Sequence, residues 1–255
     1  MISSLKELLA FFEKYVKKLI SNKKNKFALT IFSVGNSVNQ TNSIKLKQKI
    51  AKKLGVKINL INIKNVPNFI NFAKQIKKEA EKEDVQGIII ERPLPAQLST
   101  DSIYNYIPAK KEIEGLKLKS LIYPPQGLAV LTLIKYYFTG KITEKIIINP
   151  KKEGVFWKKF SKSKKIVLLG HDGIYAKPIS KVMQDLKISF LNIDLKVKST
   201  ESYLLEADII INTTDEKLDQ YQIKPNVLII QYSPNNPTLE TLSTYYLFKN
   251  LVDIK

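Results

Sequence analysis

Glu91 and Arg92 stand at the end of an apolar run, in the stretch 86–95, QGIIIERPLP. Ile88, Ile89 and Ile90 form the continuous β-branched pattern of a strand covered on both faces. Pro93 and Pro95 forbid its continuation as a central strand, because neither donates a ladder hydrogen bond. An acid and a base therefore sit at the carboxyl end of a buried strand, where open α/β sheets place their ligands. An Arg–Glu surface pair at a strand end is the plainer reading of the same two residues. A second stretch, KIVLLGHDGIYAKPISKVM at 165–183, runs a buried strand into Gly170 and then into a helix. That is the context a dinucleotide fingerprint requires. Acids follow each stretch: Glu112 and Glu114 in IPAKKEIEGL at 107–116, and Asp194 at a strand end, 24 residues after Gly170.

The elements that must position these groups are legible as periodicities. Leu5, Leu8, Leu9, Phe12, Val16 and Ile20 have helical spacing and predict a helix over 5–20. A first strand follows at 27–34, then a polar loop at 36–42 and a helix at 43–54 with Gly55 as its cap. A second strand at 56–63, a helix at 66–81 with Pro67 in its first turn, and the strand at 86–90 complete the first part. Strand–helix–strand–helix–strand predicts a parallel sheet with right-handed crossovers. Further on, 127–137 reads as a helix, and 166–169, 188–193, 209–211 and 227–230 read as strands. The stretch 139–164 holds the only tryptophan, Trp157, within a dense lysine cluster, and reads as a hairpin or loop insertion.

Composition narrows the function classes. A chain of 255 residues with 44% hydrophobic content makes one large domain or two ordinary ones. With no cysteine and one histidine, neither a disulfide framework nor a Cys- or His-based metal site is expected. No run approaches the length of a membrane span, and the charged, amphipathic N-terminus is no signal peptide, so the cytoplasm is the expected compartment. The net charge of +19 suggests nucleic acid at first sight. Arg92 is the only arginine, however, and readers of phosphates and base edges rely on the arginine fork. The lysines are also spread along the whole chain, so a nucleic-acid partner is disfavoured.

The stretch 86–95 resembles the "dGilVQlPLP" signature of the methylenetetrahydrofolate dehydrogenase/cyclohydrolase family, with Glu91 in place of the usual glutamine. Residues 34–55 are similar to that family's "VG…S..Yv..K.k…..G" pattern, which puts Lys47 on the catalytic lysine. Ser43 stands where the family has a tyrosine that stacks on the folate ring. The stretch 107–116 resembles "i.P.KDVDGf", placing Glu114 on a folate-binding aspartate and Glu112 on its neighbour. The stretch 121–127, LIYPPQG, weakly resembles "PCTP.G". The second stretch resembles "vViGrS.ivGkPva.lL": Gly170, Ile174, Lys177 and Pro178 match, while His171, Asp172 and Ala176 replace Arg, Ser and Gly. Strands at 207–211 and 227–230 resemble "ADivi.a.G" and "vvIDvG" without their glycines, and 233–242, SPNNPTLETL, stands for "PGGVGPMT".

The resemblance implies an α/β fold. Residues 1–125 plus 238–255 would form a three-layer α/β folate-binding catalytic domain with a parallel sheet. Residues 126–237 would form a Rossmann-like NAD(P)-binding domain with an insertion at about 139–164, and the C-terminal helix would pack back on the first domain. Its implied activity is oxidation of methylenetetrahydrofolate to the methenyl compound and hydrolysis of that product to formyltetrahydrofolate. Lys47, Glu91 and Glu114 would be catalytic, and Ser43, Arg92, Pro93, Leu94 and Pro95 would bind the tetrahydrofolate substrate. Gly170, His171, Asp172, Gly173, Ile174, Lys177, Pro178, Asp194 and Thr213 would hold the cofactor, in a homodimer. Asp172 and Asp194 repel a 2′-phosphate, and Asp194 is placed to accept from ribose hydroxyls, so NAD is favoured slightly over NADP. The missing glycines leave a second expectation: a divergent folate-binding or regulatory relative that has lost one or both activities. Glu91 carries its own expectation. A carboxylate beside Lys47 favours the ammonium form, which impairs a hydrolytic step that needs a neutral lysine.

Overall fold

The computed structural model describes residues 2–23, 26–35, 37–171, 173–196, 199–233 and 236–254. The chain divides into two compact units, Met1–Pro125 with Glu240–Lys255, and Gln126–Leu239.

The first unit is built on a three-stranded parallel sheet in the order β2-β1-β3: β1 (Ala28–Val34), β2 (Lys57–Ile63) and β3 (Gly87–Ile90). Every residue of β1 and β3 is buried, as in strands covered on both faces; the two polar residues of β1, Thr30 and Ser33, donate to Glu79 and Gln40. The edge strand β2 alternates between partly buried and exposed positions. The covering helices are α1 (Ile2–Ser21), α2 (Val38–Leu54) and α3 (Phe69–Ala80). Leu8, Phe12, Val16 and Ile20 are the buried stripe of α1. The part of the last helix, α8 (Pro237–Asp253), that belongs to this unit joins the same layer. Tyr246 packs its ring 5.3 Å from Phe12, Tyr245 Oη donates to Glu13 at 2.8 Å, and the Asn250 amide donates to the carbonyls of Ile113 and Tyr123.

Two helix starts differ from the sequence expectation. The polar loop expected at 36–42 is helical from Val38, because Gln40 turns inward while its polar neighbours face solvent. Helix α3 begins at Phe69 rather than at 66, since Asn68 caps it by accepting from Asn71 N at 2.8 Å, leaving Pro67 outside.

The second unit holds a four-stranded, all-parallel sheet in the order β5-β4-β6-β7: β4 (Ile166–Leu169), β5 (Leu191–Ile193), β6 (Ile209–Asn212) and β7 (Leu228–Gln231). The chain leaves β4 to one side for β5 and returns to the other for β6, so the strand order reverses at β4 and β6. In open α/β sheets that is where ligands bind. Helices α4 (Pro125–Thr139), α5 (Pro150–Lys162), α6 (Ala176–Asp185) and α7 (Thr200–Glu206) complete the unit. Where a hairpin or loop was expected at 139–164 the chain forms α5, which buries Trp157 and Ser161. Its lysines and Phe156 face outward, while Trp157 turns inward with its ring edge-on to Phe160 at 5.5 Å. No helix among the described residues is long and apolar enough to cross a membrane.

Candidate active site

The corner after β3 is fixed before any ligand is considered. Glu91 N donates to Phe32 O at 2.9 Å, carrying the β1–β3 pairing one residue further. The peptide bond between Arg92 and Pro93 is cis. Gln40, fully buried on the first turn of α2, donates to Pro93 O at 2.7 Å, Glu91 O at 3.3 Å and Val34 O at 3.4 Å. Its own oxygen accepts from Ser33 Oγ at 3.2 Å. One amide thereby ties α2 to β1 and to the corner. Sequence reading missed it, because its partners lie 51 and 53 residues away.

On that corner the structure brings together the three residues expected to be catalytic. Lys47, two turns further along α2 than Gln40, donates to both oxygens of Glu91 at 3.0 and 2.9 Å and to Ser43 Oγ at 2.6 Å. The pair is buried, with side-chain exposures of 12% and 7%. Glu114 arrives from the loop after residue 111, which lies along β3 through Ile88 N donating to Lys111 O at 2.8 Å. It accepts from Ile90 N at 3.1 Å. Glu112, its neighbour, is occupied differently. It accepts from Glu114 N, Leu116 N and Ser120 Oγ, and so folds its own loop. Gly115 permits the turn: it takes φ +71°, and a Cβ there would lie 2.5 Å from Pro124 N.

Electrostatics separates these groups. Burial by itself would push the Lys47 ammonium down, but Glu91, then Glu240 and Glu114, more than offset it and hold its pKa above the ordinary value. Glu114 goes the other way for an acid. Burial raises it, Arg92 opposes this, Glu91 adds to it, and the result is a carboxyl pushed up to about 7. Tyr104, buried on the 3-10 turn of Asp101–Tyr106, has its hydroxyl pKa raised, first by burial. Glu240, on the first turn of α8, also faces Lys47, Glu91 and Arg92 and is raised chiefly by burial. Sequence reading passed over Glu240, since nothing local distinguishes it in SPNNPTLETL. Of the residues expected to bind substrate, Ser43, Arg92, Pro93, Leu94 and Pro95 all lie on α2 or in this corner. Leu94 also packs against the core under β3.

In the second unit the turn after β4 gathers most of the expected cofactor residues. Gly170 takes φ +116°, and a Cβ there would lie 2.1 Å from Thr213 Oγ1. Thr213, at the end of β6, donates that hydroxyl to Leu169 O at 2.6 Å. His171, Gly173, Ile174 and Lys177 are exposed around the turn, and Pro178 is buried in α6. Gly173 N donates to Gly170 O at 2.8 Å, and Lys177 N to Gly173 O at 3.0 Å. Asp194 is exposed just past β5, one of its oxygens accepting from Lys196 N at 3.0 Å. Asp172 lies outside the described residues.

These residues suit a dinucleotide at the turn. The glycine cradle has no room for a side chain, and Asn192 Oδ1, on β5 beside His171 O, is buried with no hydrogen-bond partner among the described residues. The departures are local. Ala176, in place of the expected glycine, buries its methyl at the start of α6. Tyr232, in the glycine-free turn, is buried with its ring 5.2 Å from Tyr175. At its described ends, Gln231 donates to Thr214 O at 2.7 Å and Asn236 to Gln231 O at 2.7 Å.

Known proteins resemble this chain in sequence and in fold. Residues 4–114 match the model of the tetrahydrofolate dehydrogenase/cyclohydrolase catalytic domain. The chain is similar to the bifunctional protein FolD of Mycoplasma mobile, 27% identical over 237 residues, 87% of this chain and 75% of that protein. Matches to further FolD proteins, such as that of Dictyoglomus turgidum, span 61% of the relative's length. In fold it resembles the bifunctional FolD methylenetetrahydrofolate dehydrogenase/cyclohydrolase of Campylobacter jejuni, with a TM-score of 0.74, 18% identity, and 98% and 96% of the two chains covered. It also resembles the NAD-dependent 5,10-methylenetetrahydrofolate dehydrogenase of Saccharomyces cerevisiae, with a TM-score of 0.73, 13% identity, and 98% and 95% covered. At these identities the structural likeness speaks to fold.

Proposed function

We infer that this chain, whose residues 4–114 match the model of the tetrahydrofolate dehydrogenase/cyclohydrolase catalytic domain, oxidises methylenetetrahydrofolate with NAD(P) and hydrolyses the methenyl product to formyltetrahydrofolate. The observation that carries the reading is the corner of the first unit. A buried lysine, a paired acid and a second acid converge at the carboxyl end of β3, inside the stretch that matches the family's catalytic domain. Arg92 and Glu114 would contact the pterin, and the 93–95 turn would supply an apolar wall. Ser43 has no ring to stack on a folate, and its hydroxyl serves Lys47 instead.

A bound nicotinamide supplies a hydride acceptor, and the protein's part is to hold and orient it. The Gly170 turn and the start of α6 would hold the pyrophosphate, and Asp194 the adenosine ribose. Asp194 is exposed at the end of β5, where a carboxylate accepts from ribose hydroxyls and repels a 2′-phosphate, which supports NAD over NADP. Action in the cytoplasm, as a homodimer through the second unit, belongs to the same reading. The test is product analysis after incubation with methylenetetrahydrofolate and either oxidised cofactor. The reading expects formyltetrahydrofolate and reduced nicotinamide in equal amounts, and recovery of unchanged substrate would overturn it.

A further inference from the structure

Lys47 is badly placed to give up a proton. An ammonium has three N–H donors. Here all three have acceptors, the two oxygens of Glu91 and Ser43 Oγ. Removing the proton would leave Glu91 as an uncompensated buried carboxylate. Glu240 adds a further negative charge facing Lys47 from α8.

Glu114 has the opposite character. It is buried, yet the one hydrogen bond to its carboxyl among the described residues comes from Ile90 N. Its sequence neighbour Glu112 is fully engaged in its own loop and takes no part. The charged and titratable groups facing Glu114 come from every side. Arg92 and Glu91 face it from the corner after β3, Lys47 from α2, and Tyr104 from the 3-10 turn. Glu240, on α8, faces Lys47, Glu91 and Arg92 in the same cluster.

We propose that Glu114, and not Lys47, is the group that exchanges a proton with the substrate during hydrolysis of the methenyl bridge. The proposal rests on the cyclohydrolase half of the function above. The water oxygen bonds to the bridging carbon while one of its protons passes to the Glu114 carboxylate. The bond from that carbon to N5 then breaks as Glu114 returns the proton to N5. The remaining hydroxyl proton leaves to solvent as the formyl carbonyl forms, so one proton is released per cation hydrolysed. Lys47 stays an ammonium throughout and positions Glu91 and Ser43. Burial supports the assignment, because a carboxyl displaced to about 7 is populated in both forms near neutral pH, as proton exchange requires.

The experiment is the pH dependence of methenyltetrahydrofolate hydrolysis, corrected for the uncatalysed rate, for the wild type, Glu114→Gln, Glu114→Asp and Lys47→Met. The carboxylate form is the active one, so the wild-type rate should rise with pH through an inflection near 7 and then level. Glu114→Gln should lower kcat by about 100-fold or more with little change in KM, and lose the inflection. Glu114→Asp should restore part of kcat with the inflection displaced. Lys47→Met should lose activity through positioning but keep an inflection. An inflection that disappears with Lys47→Met and survives Glu114→Gln overturns the proposal. So does a wild type that forms reduced nicotinamide but does not hydrolyse the methenyl compound, although the dehydrogenase reading then stands. A wild type that does neither overturns both.

Discussion

The buried Glu114 carboxyl makes the stability of the first unit depend on pH in a direction that can be worked out. Its pKa moves from the ordinary 4.5 to about 7 on folding, so the fold prefers the protonated form. Below about pH 4.5 both folded and unfolded chains hold the proton and the contribution is fully present. Between 4.5 and 7 the unfolded chain ionises and the folded one does not, so stability falls as pH rises. Above about 7 the folded protein carries the charge and the loss is complete. A displacement of this size corresponds to about 3 kcal/mol. Glu114→Gln is neutral at every pH and escapes the loss. The variant's stability relative to the wild type should therefore rise by about 3 kcal/mol between pH 4.5 and pH 8. The assay is urea unfolding with peptide-resolved hydrogen exchange over β1 and β3. Trp157 lies in the second unit, so its fluorescence follows that unit and provides a control that the substitution should leave unchanged. A difference between variant and wild type that stays flat with pH would refute the reasoning.

Four further outcomes are expected. Glu91→Gln removes a charge that raises both Lys47 and Glu114, so methenyl hydrolysis below pH 7 should speed up and its inflection move to lower pH, read from the same pH–rate profile. Gln40→Leu leaves the carbonyls of Pro93, Glu91 and Val34 without their donor, which should cost about 1–3 kcal/mol in urea unfolding and reduce folate turnover. Gly115→Ala forces a side chain into φ +71° and against Pro124, so it should destabilise the first unit by about 2–5 kcal/mol in the same experiment. Asp194→Ser removes the carboxylate at the end of β5 and should shift the kcat/KM ratio toward NADP.

The parts of this molecule that were legible in its sequence are those whose signal is local. Ile88–Ile90 followed by two prolines marks a buried strand and a rigid corner, and β3 and its cis turn are found there. The strand into Gly170 likewise marks β4 and its turn, because only glycine fits at φ +116° against Thr213. What escaped depends on partners distant in the chain. Gln40 looks like one more polar residue in a polar stretch until the fold brings three carbonyls to its amide. Glu240 is 193 positions from Lys47, and only the return of α8 to the first unit makes it part of the cluster. The stretch 139–164 reads as a loop because lysines cluster in it, whereas α5 forms there and buries Trp157. At the corner itself the sequence showed that an acid stands beside a base. It did not show that Glu91 turns both oxygens to Lys47, or that Glu114 is the acid left with a single donor among the described residues.

The most direct test of the account is the initial rate of reduced-nicotinamide formation by the purified protein with methylenetetrahydrofolate, once with NAD and once with NADP. The account predicts substrate-dependent reduction with both, faster at equal concentration with NAD. No reduction with either cofactor, from protein that binds tetrahydrofolate, would contradict it.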